Sequence, residues 1–424
     1  MRHHPIRVVA AVALAGLLAP GPASGQPPPS SSPPAVSQLT REQAVSLALQ
    51  RNQSLRAQRL AVDQSRAGET TAGLKPNPVF TSVNADFPVF TPSQLTWSNL
   101  ADNQTFTESL SYLFERGGKR ERRVQVARDT TEMTARTVDD AERQVRFQVG
   151  QAFVSVLLAR ATLEFAHEDL KDFSEVVDLN KRRVASGDLA ERDYLKIALQ
   201  KLQFEQDLSS AEVALVQAKA ALRQLVGYDT VTEDFDVVGQ LVHHATAVSL
   251  EALQREAIAA RPDLQSARVN TKLADSTLGL AQANRVRNVT LEAEYDRNGP
   301  VNGVGVGLSF EIPVHDRNQG EIARSRFALT QAHESESAAR VLVLTDVVNA
   351  HAAFRTNDKI VSLYESGYLE QARQSREVSR YAYAKGATGL LVVVGGLISR
   401  LFLSIFMAPA LYTLVARRDD VLKV

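Results

Sequence analysis

The sequence predicts a mainly α-helical chain with a β portion, built as two structural repeats of long coiled-coil-like helices and paired strands, the second repeat truncated. Three observations carry that prediction. From Glu115 an apolar seam with a period near 3.5 continues for about seventy residues, which at about 1.5 Å per residue is a rod on the order of 100 Å long. Short segments that alternate apolar and polar residues stand in pairs between helical stretches. The same order of parts then returns about two hundred residues later.

At the N-terminus, Arg2 and Arg7 precede an apolar run from Val8 to Leu18, and Ala23-Ser24-Gly25 offers small residues for cleavage. Residues 1–25 therefore read as a secretory signal peptide. Residues 26–38 are rich in proline and serine, cannot bury a core and read as a linker.

The first repeat spans residues 39–240. Thr40 is placed to cap its first helix, with Gln43 as the capping-box partner. Helical spacing of Ala44, Leu47, Ala48, Leu55 and Leu60 continues to about Leu74, where Pro76 and Pro78 stop it. Two strand-like segments follow. Val79, Thr81, Val83 and Ala85 alternate with Phe80, Ser82 and Asn84; Phe106, Leu110, Tyr112 and Phe114 alternate with Thr105, Thr107, Ser109 and Ser111. The long seam includes Val145, Val149, Ala152, Val156, Ala159, Leu163 and Ala166, whose small residues allow close helix approach. Gly187 interrupts it. A returning helix begins near Leu189, and Gly227 is its natural stop, so the pair forms a hairpin with its tip at Ala185-Ser186-Gly187-Asp188.

The second repeat spans residues 247–388. Ser249-Leu250-Glu251 opens its first helix, and Arg261-Pro262-Asp263-Leu264 stands where Asn52-Gln53-Ser54-Leu55 stood. Val289, Leu291, Ala293 and Tyr295 alternate with Thr290, Glu292 and Glu294. Val304, Val306, Leu308, Phe310 and Ile312 alternate with Gly305, Gly307, Ser309 and Glu311. A long helix from about Gln319 to Lys385 matches Ala353-Phe354 to Ala152-Phe153 and reaches Gly386 in the place of Gly187. No amphipathic descending helix follows. Residues 389–424 instead hold an apolar segment to Ala416, broken only by Arg400 and long enough to span a bilayer, and a basic tail with Arg417 and Arg418.

Two strands per repeat close no barrel, but four per chain suffice if chains share one. Three chains supply twelve strands, an even number suited to an outer-membrane barrel with its apolar face toward lipid. Thr290, Glu292, Glu294, Ser309 and Glu311 would then face the water-filled lumen.

Composition removes other functions. Lysine plus arginine equals aspartate plus glutamate, 48 each, so no excess of cations recommends nucleic acid as a partner. Without cysteine there is no disulfide, thiolate metal site or cysteine nucleophile. His243-His244 lies in a connector, and His167, His315, His333 and His351 are scattered without ligand spacing, so no metal site is expected. No phosphate-binding glycine loop or nucleophile with a base is present, hence no cofactor and no catalytic residue.

The opening Leu39-Thr40-Arg41-Glu42-Gln43-Ala44, Lys75-Pro76-Asn77-Pro78, Glu115-Arg116-Gly117-Gly118-Lys119-Arg120, Arg261-Pro262-Asp263-Leu264 and Pro313-Val314-His315-Asp316-Arg317-Asn318-Gln319-Gly320 resemble TolC-type outer-membrane efflux proteins over residues 38–388. The Gly-Gly-Lys-Arg and Asp-Arg-Asn-Gln-Gly runs are most similar to the heavy-metal (CzcC-like) branch. The resemblance implies a homotrimer with a twelve-stranded barrel in the outer membrane and a periplasmic tunnel of helices. Its tips would meet a periplasmic adaptor protein that links it to an inner-membrane resistance-nodulation-division pump. Carried over by position, the adaptor-contact residues are Val184, Ser186, Gly187, Asp188 and Leu189 in the first repeat and Lys385 and Gly386 in the second. Gly395-Gly396-Leu397-Ile398-Ser399 and Ala408-Pro409-Ala410-Leu411-Tyr412 resemble the end of such a pump. Two readings remain open at this stage: a passive export duct in the outer membrane, and a non-conducting coiled coil that binds the adaptor while residues 389–416 hold it in the inner membrane.

Overall fold

The computed structural model describes residues 36–85, 93, 96–241 and 249–387. The expected signal peptide, the connector histidines His243 and His244, and the apolar segment after Gly386 fall outside these residues.

Both repeats open on a pair of helices broken at the same place. In the first, α1 (Arg41–Arg51) begins with the expected capping box: Thr40 Oγ1 accepts from the Gln43 amide, and the Gln43 side chain accepts from the Thr40 amide. The single helix expected up to Leu74 is two, because Asn52 leaves the helical region and caps α2 (Gln53–Gly73). Asn52 Oδ1 accepts from the Leu55 amide at 3.0 Å, while its Nδ2 donates to the Leu225 carbonyl at 3.1 Å. In the second repeat Ser249 caps α6 (Leu250–Ala260), and Arg261 takes nearly the same backbone angles as Asn52, φ −61° and ψ 119° against φ −57° and ψ 119°. Here Pro262 opens α7 (Pro262–Ala283): a proline at the first helical position loses no hydrogen bond, and it holds the preceding residue extended.

Residues Val36–Leu39, which take in the last three residues of the expected linker and the first of the repeat, form a short strand β1. It pairs in parallel with a strand at residues Val231–Val237, reached at the end of the first repeat. Leu39, Val231, Phe235 and Val237 are buried there with Ala44, Val149, Phe153 and Leu222. Val36–Leu39 thus belongs to the fold.

Four further strands make the second sheet. In chain order they are β2 (Val79–Ala85), β3 (Thr105–Phe114), β5 (Val289–Asn298) and β6 (Val301–Phe310), with Val231–Val237 as β4 between them. All pairs are antiparallel in the order β2-β3-β5-β6, so the two hairpins, one from each repeat, join through β3 and β5. A short helix α3 (Trp97–Asn103) lies between β2 and β3.

The long helices carry the chain away from this sheet. α4 (Lys119–Ala185) has 67 residues and α5 (Glu191–Val226) returns along it. One 18-residue window of α4 is apolar enough to cross a membrane by length and composition. Its Val149, Phe153, Val154, Val156 and Leu157 are nonetheless buried in protein, which is the pattern of a core helix. In the second repeat the expected single helix is α8 (Gln319–Leu363) and α9 (Leu369–Ala384), separated by a kink at Tyr364–Tyr368. Gly367, at φ 125°, breaks the ladder there.

Between repeats, α4 packs on α7 and encloses a charge. Asp129, almost fully buried, accepts from Lys272 Nζ at 2.9 Å, from Gln125 Nε2 at 2.9 Å and from Ser276 Oγ. Burial pushes its carboxyl up, but these hydrogen bonds and the Lys272 charge outweigh that and hold it below the ordinary range. Asp263 is similar: burial raises it, and the two hydrogen bonds from Arg261, at 3.0 and 2.6 Å, bring it down. Groups depressed on folding stabilise the fold fully above the unfolded carboxylate value of about 3.9 and cease to do so as pH falls through their lower folded values. Circular dichroism between pH 6 and pH 2 is therefore expected to show the helices weakening below about pH 4. Asp129→Asn and Asp263→Asn should be less stable at neutral pH yet lose less stability over that acid range. An acid profile parallel to the unaltered chain's would remove these two carboxylates from the explanation.

Candidate functional site: an outward apolar sheet and paired helix tips

The register of the four-stranded sheet sorts its side chains. Glu292 lies between Ser111 and Gly307, Glu294 between Ser109 and Gly305, and Thr290 beside Ser309. Those residues share one face, which the register extends to Thr81 and Thr107 on β2 and β3. Four of the five residues expected on the water side are thus together. Glu311 follows the last residue of β6 and is drawn to the corner below the sheet, 3.1 Å from Arg287. Opposite the acids the chain has glycine. A Cβ at Gly305 or Gly307 would sit 3.8 or 3.7 Å from the Cβ of Glu294 or Glu292, so the carboxylate side chains have room to lie over the strand beside them.

The other face is mainly apolar and uncovered, with Glu108 beside Tyr295 and Arg297 beyond them as its charged residues. Leu291, Ala293 and Tyr295 stand beside Val304, Val306, Leu308 and Phe310, with Leu110, Tyr112, Phe114 and Phe80 continuing the row. Val304 is 84% exposed and Val306 79%, whereas Glu292 and Glu294 are half-buried. A soluble sheet buries its apolar face and wets its polar one; this sheet does the reverse. Covering each large apolar side chain is worth about 1.5–3 kcal/mol, so a contiguous face of this kind requires lipid or another chain against it. β2 and β6 are the sheet's two edges, each with one side unpaired among the described residues.

At the far end of the helices the two repeats make the same turn. Gly187 (φ 81°) and Gly386 (φ 75°) are left-handed. After α4 the Gly187 amide donates to the Val184 carbonyl at 3.1 Å and the Asp188 amide to the Arg183 carbonyl at 2.8 Å. After α9 the Gly386 amide donates to Tyr383 at 3.0 Å and the Ala387 amide to Ala382 at 2.8 Å. This is one helix stop used twice, and it needs glycine because a Cβ disfavours that conformation. Ser186 Oγ donates to the Asp188 carboxylate at 2.7 Å, and Ser186, Gly187, Asp188, Lys385 and Gly386 are exposed while Val184 and Leu189 are half-buried.

The structure also shows what unites the tips, which the sequence reading missed. Tyr383 is buried against Phe173 and Ile197 and exchanges hydrogen bonds with the Asn180 side chain at 2.7 and 2.9 Å. Arg183 donates to the Tyr383 carbonyl at 3.0 Å, and Arg380 bridges Asp172 at 3.2 Å and Glu175 at 3.0 Å. No single-sequence signal marks Tyr383, whose partners lie about two hundred residues away. Among the described residues no group of three or more histidines and carboxylates is arranged to hold a metal.

The comparisons agree with this geometry. A family model described as "Outer membrane efflux protein" matches residues 44–228 and 253–395, one block per repeat. The cobalt-zinc-cadmium resistance protein CzcC of Cupriavidus metallidurans is 24% identical over 362 residues, 85% of this chain and 83% of that one. Among solved structures, CusC superposes with a TM-score of 0.73 at 18% identity, covering 90% of each chain. The open-state MtrE outer membrane channel of Neisseria gonorrhoeae gives 0.71 at 17% identity, covering 90% of this chain and 87% of that one. With both repeats matched over most of the chain, the protein belongs to the outer membrane efflux protein family, a family of channels and not of enzymes.

Proposed function

We propose that this chain is the outer-membrane duct of a three-part efflux system and works as a homotrimer. The observation that carries the reading is the sheet with exposed apolar side chains on one face and Glu292 and Glu294 on the other, at one end of helices whose two tips meet at the other. Three such sheets joined edge to edge would satisfy β2 and β6 and close a barrel of twelve strands. The conduit itself is passive, and energy would come from an inner-membrane resistance-nodulation-division pump reached through a periplasmic adaptor. Val184, Ser186, Gly187, Asp188, Leu189, Lys385 and Gly386 form the adaptor contact in this reading. Thr290, Glu292, Glu294 and Ser309 line the lumen. Heavy-metal cations are the proposed cargo, by likeness to a relative named for cobalt, zinc and cadmium resistance.

Purified full-length chain in mild detergent is expected to run as a trimer and to give discrete conductance steps in planar bilayers. A helical monomer without conductance would reject the duct. The apolar run at residues 389–416 supports a second proposal on location, retention in the inner membrane. Sucrose-gradient separation decides it, since recovery of the whole chain in the outer-membrane fraction rejects retention.

A further inference from the structure

All four junctions between sheet and helices lie at one level. Val79 begins β2 beside the end of β3, and Phe114, Val289 and Phe310 are register neighbours across β3, β5 and β6. The loops below them are tied into one collar. Lys119 Nζ donates to Asn288 Oδ1 at 2.7 Å, Arg120 Nε to the Gly73 carbonyl at 2.6 Å, and Asn318 Nδ2 to the Ala281 carbonyl at 2.7 Å.

The charges of this collar do not balance. Its carboxylates are largely consumed internally: Glu115 by Arg123 at 2.6 Å, Glu311 and Asp316 by Arg287 at 3.1 and 3.5 Å, and Glu321 by Arg324 at 2.7 Å. Glu121 is the acid left without an ion pair among the described residues of the collar. Lys75, Arg116, Arg285 and Arg317 are all exposed, one on each of the four junctions, and none has a carboxylate partner among the described residues. The whole chain is electrically neutral, so this surplus is local. It begins where the uncovered apolar face ends, at Phe310, Ile312 and Val314, all more than half exposed.

Apolar surface directly above and unpaired cations directly below is the profile of a membrane boundary with acidic headgroups. We propose that the collar at Lys75, Arg116, Arg285 and Arg317 binds anionic phospholipid headgroups in the leaflet on the helical side of the membrane. The proposal rests on the reading of the sheet as membrane-embedded. It fixes the depth at which the sheet sits: acyl chains lie on Val304, Val306 and Leu308, and phosphates meet the guanidinium groups one turn of chain beyond Phe310. The choice of arginine at three of the four positions suits phosphate, which its planar fork of donors can bind through two oxygens.

The test uses the full chain in mild detergent, titrated with dioctanoyl phosphatidylglycerol, with dioctanoyl phosphatidylcholine and with inorganic phosphate, bound lipid being counted by native mass spectrometry. Each cation at an anionic surface is worth about fivefold in affinity, so Arg116→Gln/Arg285→Gln/Arg317→Gln should weaken phosphatidylglycerol binding about a hundredfold. The same number of changes on the helices away from the sheet, Lys181→Gln/Arg182→Gln/Arg373→Gln, should leave it unaltered. Equal binding of the two lipids, or a triple collar variant that keeps the preference, overturns the proposal. Displacement of phosphatidylglycerol by millimolar inorganic phosphate would make the collar a free-anion site and overturn it as well. Conductance in bilayers of pure phosphatidylcholine is read in parallel: a chain that conducts there without lipid preference loses the collar and keeps the duct, and one that does not conduct loses the duct.

Discussion

Planar bilayers holding the Glu292→Lys/Glu294→Lys variant should show a reversal potential of opposite sign to that of the unaltered chain under a potassium chloride gradient. Both carboxylates share one sheet face with Thr290, Ser309 and Asp296, and each has a glycine across β6, so reversing two of the three acids of β5 turns the sign of that face. In the proposed trimer every copy repeats them, and rings of acidic side chains favour cations as rings of basic ones favour anions. Charge reversal therefore acts on every copy at once. Fixed charges are screened beyond about 10 Å at 0.1 M salt, so the effect should be largest in dilute gradients and fade near 1 M, where the screening length is about 3 Å. Lysine has length and flexibility enough to replace glutamate on a half-buried face beside glycine without disturbing the register. Unchanged selectivity with normal conductance would place Glu292 and Glu294 away from the ion path.

The largest expected loss of stability from one substitution is at Phe173. Its side chain is fully buried in α4, its ring stacks on Phe204 of α5 with centroids 4.5 Å apart, and it packs with Ile197 and Tyr383. Phe173→Ala removes the ring and leaves a cavity, a change that costs about 3–5 kcal/mol in well-packed cores. The effect should not be confined to a lower melting temperature. Because Tyr383 rests on the same cluster, loss of the ring should free the end of α9 from the α4–α5 hairpin. Hydrogen exchange is expected to accelerate in residues 376–384 more than in α2 or α7. Asn180→Ala provides the comparison, since it removes the hydrogen bonds to Tyr383 while leaving the aromatic stack filled. If α9 exchanges as before in Phe173→Ala, then Tyr383 is held by its polar partners alone.

The sequence disclosed those features that local chemistry determines. Thr40 with Gln43, proline after Arg261, and glycine at 187 and 386 each specify a backbone turn from a few adjacent residues. The alternation from Val289 to Phe310 specified two strands and their faces for the same reason. Features that depend on distant partners stayed hidden. Val36–Leu39 is too short to show alternation, and it becomes a strand only because β4 arrives beside it after nearly two hundred residues. Asn52 reads as an unremarkable polar position until its amide is seen on the Leu225 carbonyl. Gly367 sits within an uninterrupted helical pattern, and a single glycine there does not forecast a kink. Glu311 kept the alternation going past the true end of β6, where Pro313 ends strand chemistry and Arg287 supplies a charge partner.

The pairing of β3 with β5 bears on how the chain must be made. Phe114 meets Val289 only after α4, α5, β4, α6 and α7 have all been synthesised between them. The α4–α5 hairpin can form from neighbouring sequence, and contacts of low sequence separation form fastest, so the helical rod should be in place while the sheet is still two separate hairpins. During that interval the hairpins would present bare strand edges and a greasy surface to water, the combination most prone to wrong pairing. Maturation of this chain would then be governed less by how quickly it folds than by how long its hairpins can be shielded before they find one another and a membrane.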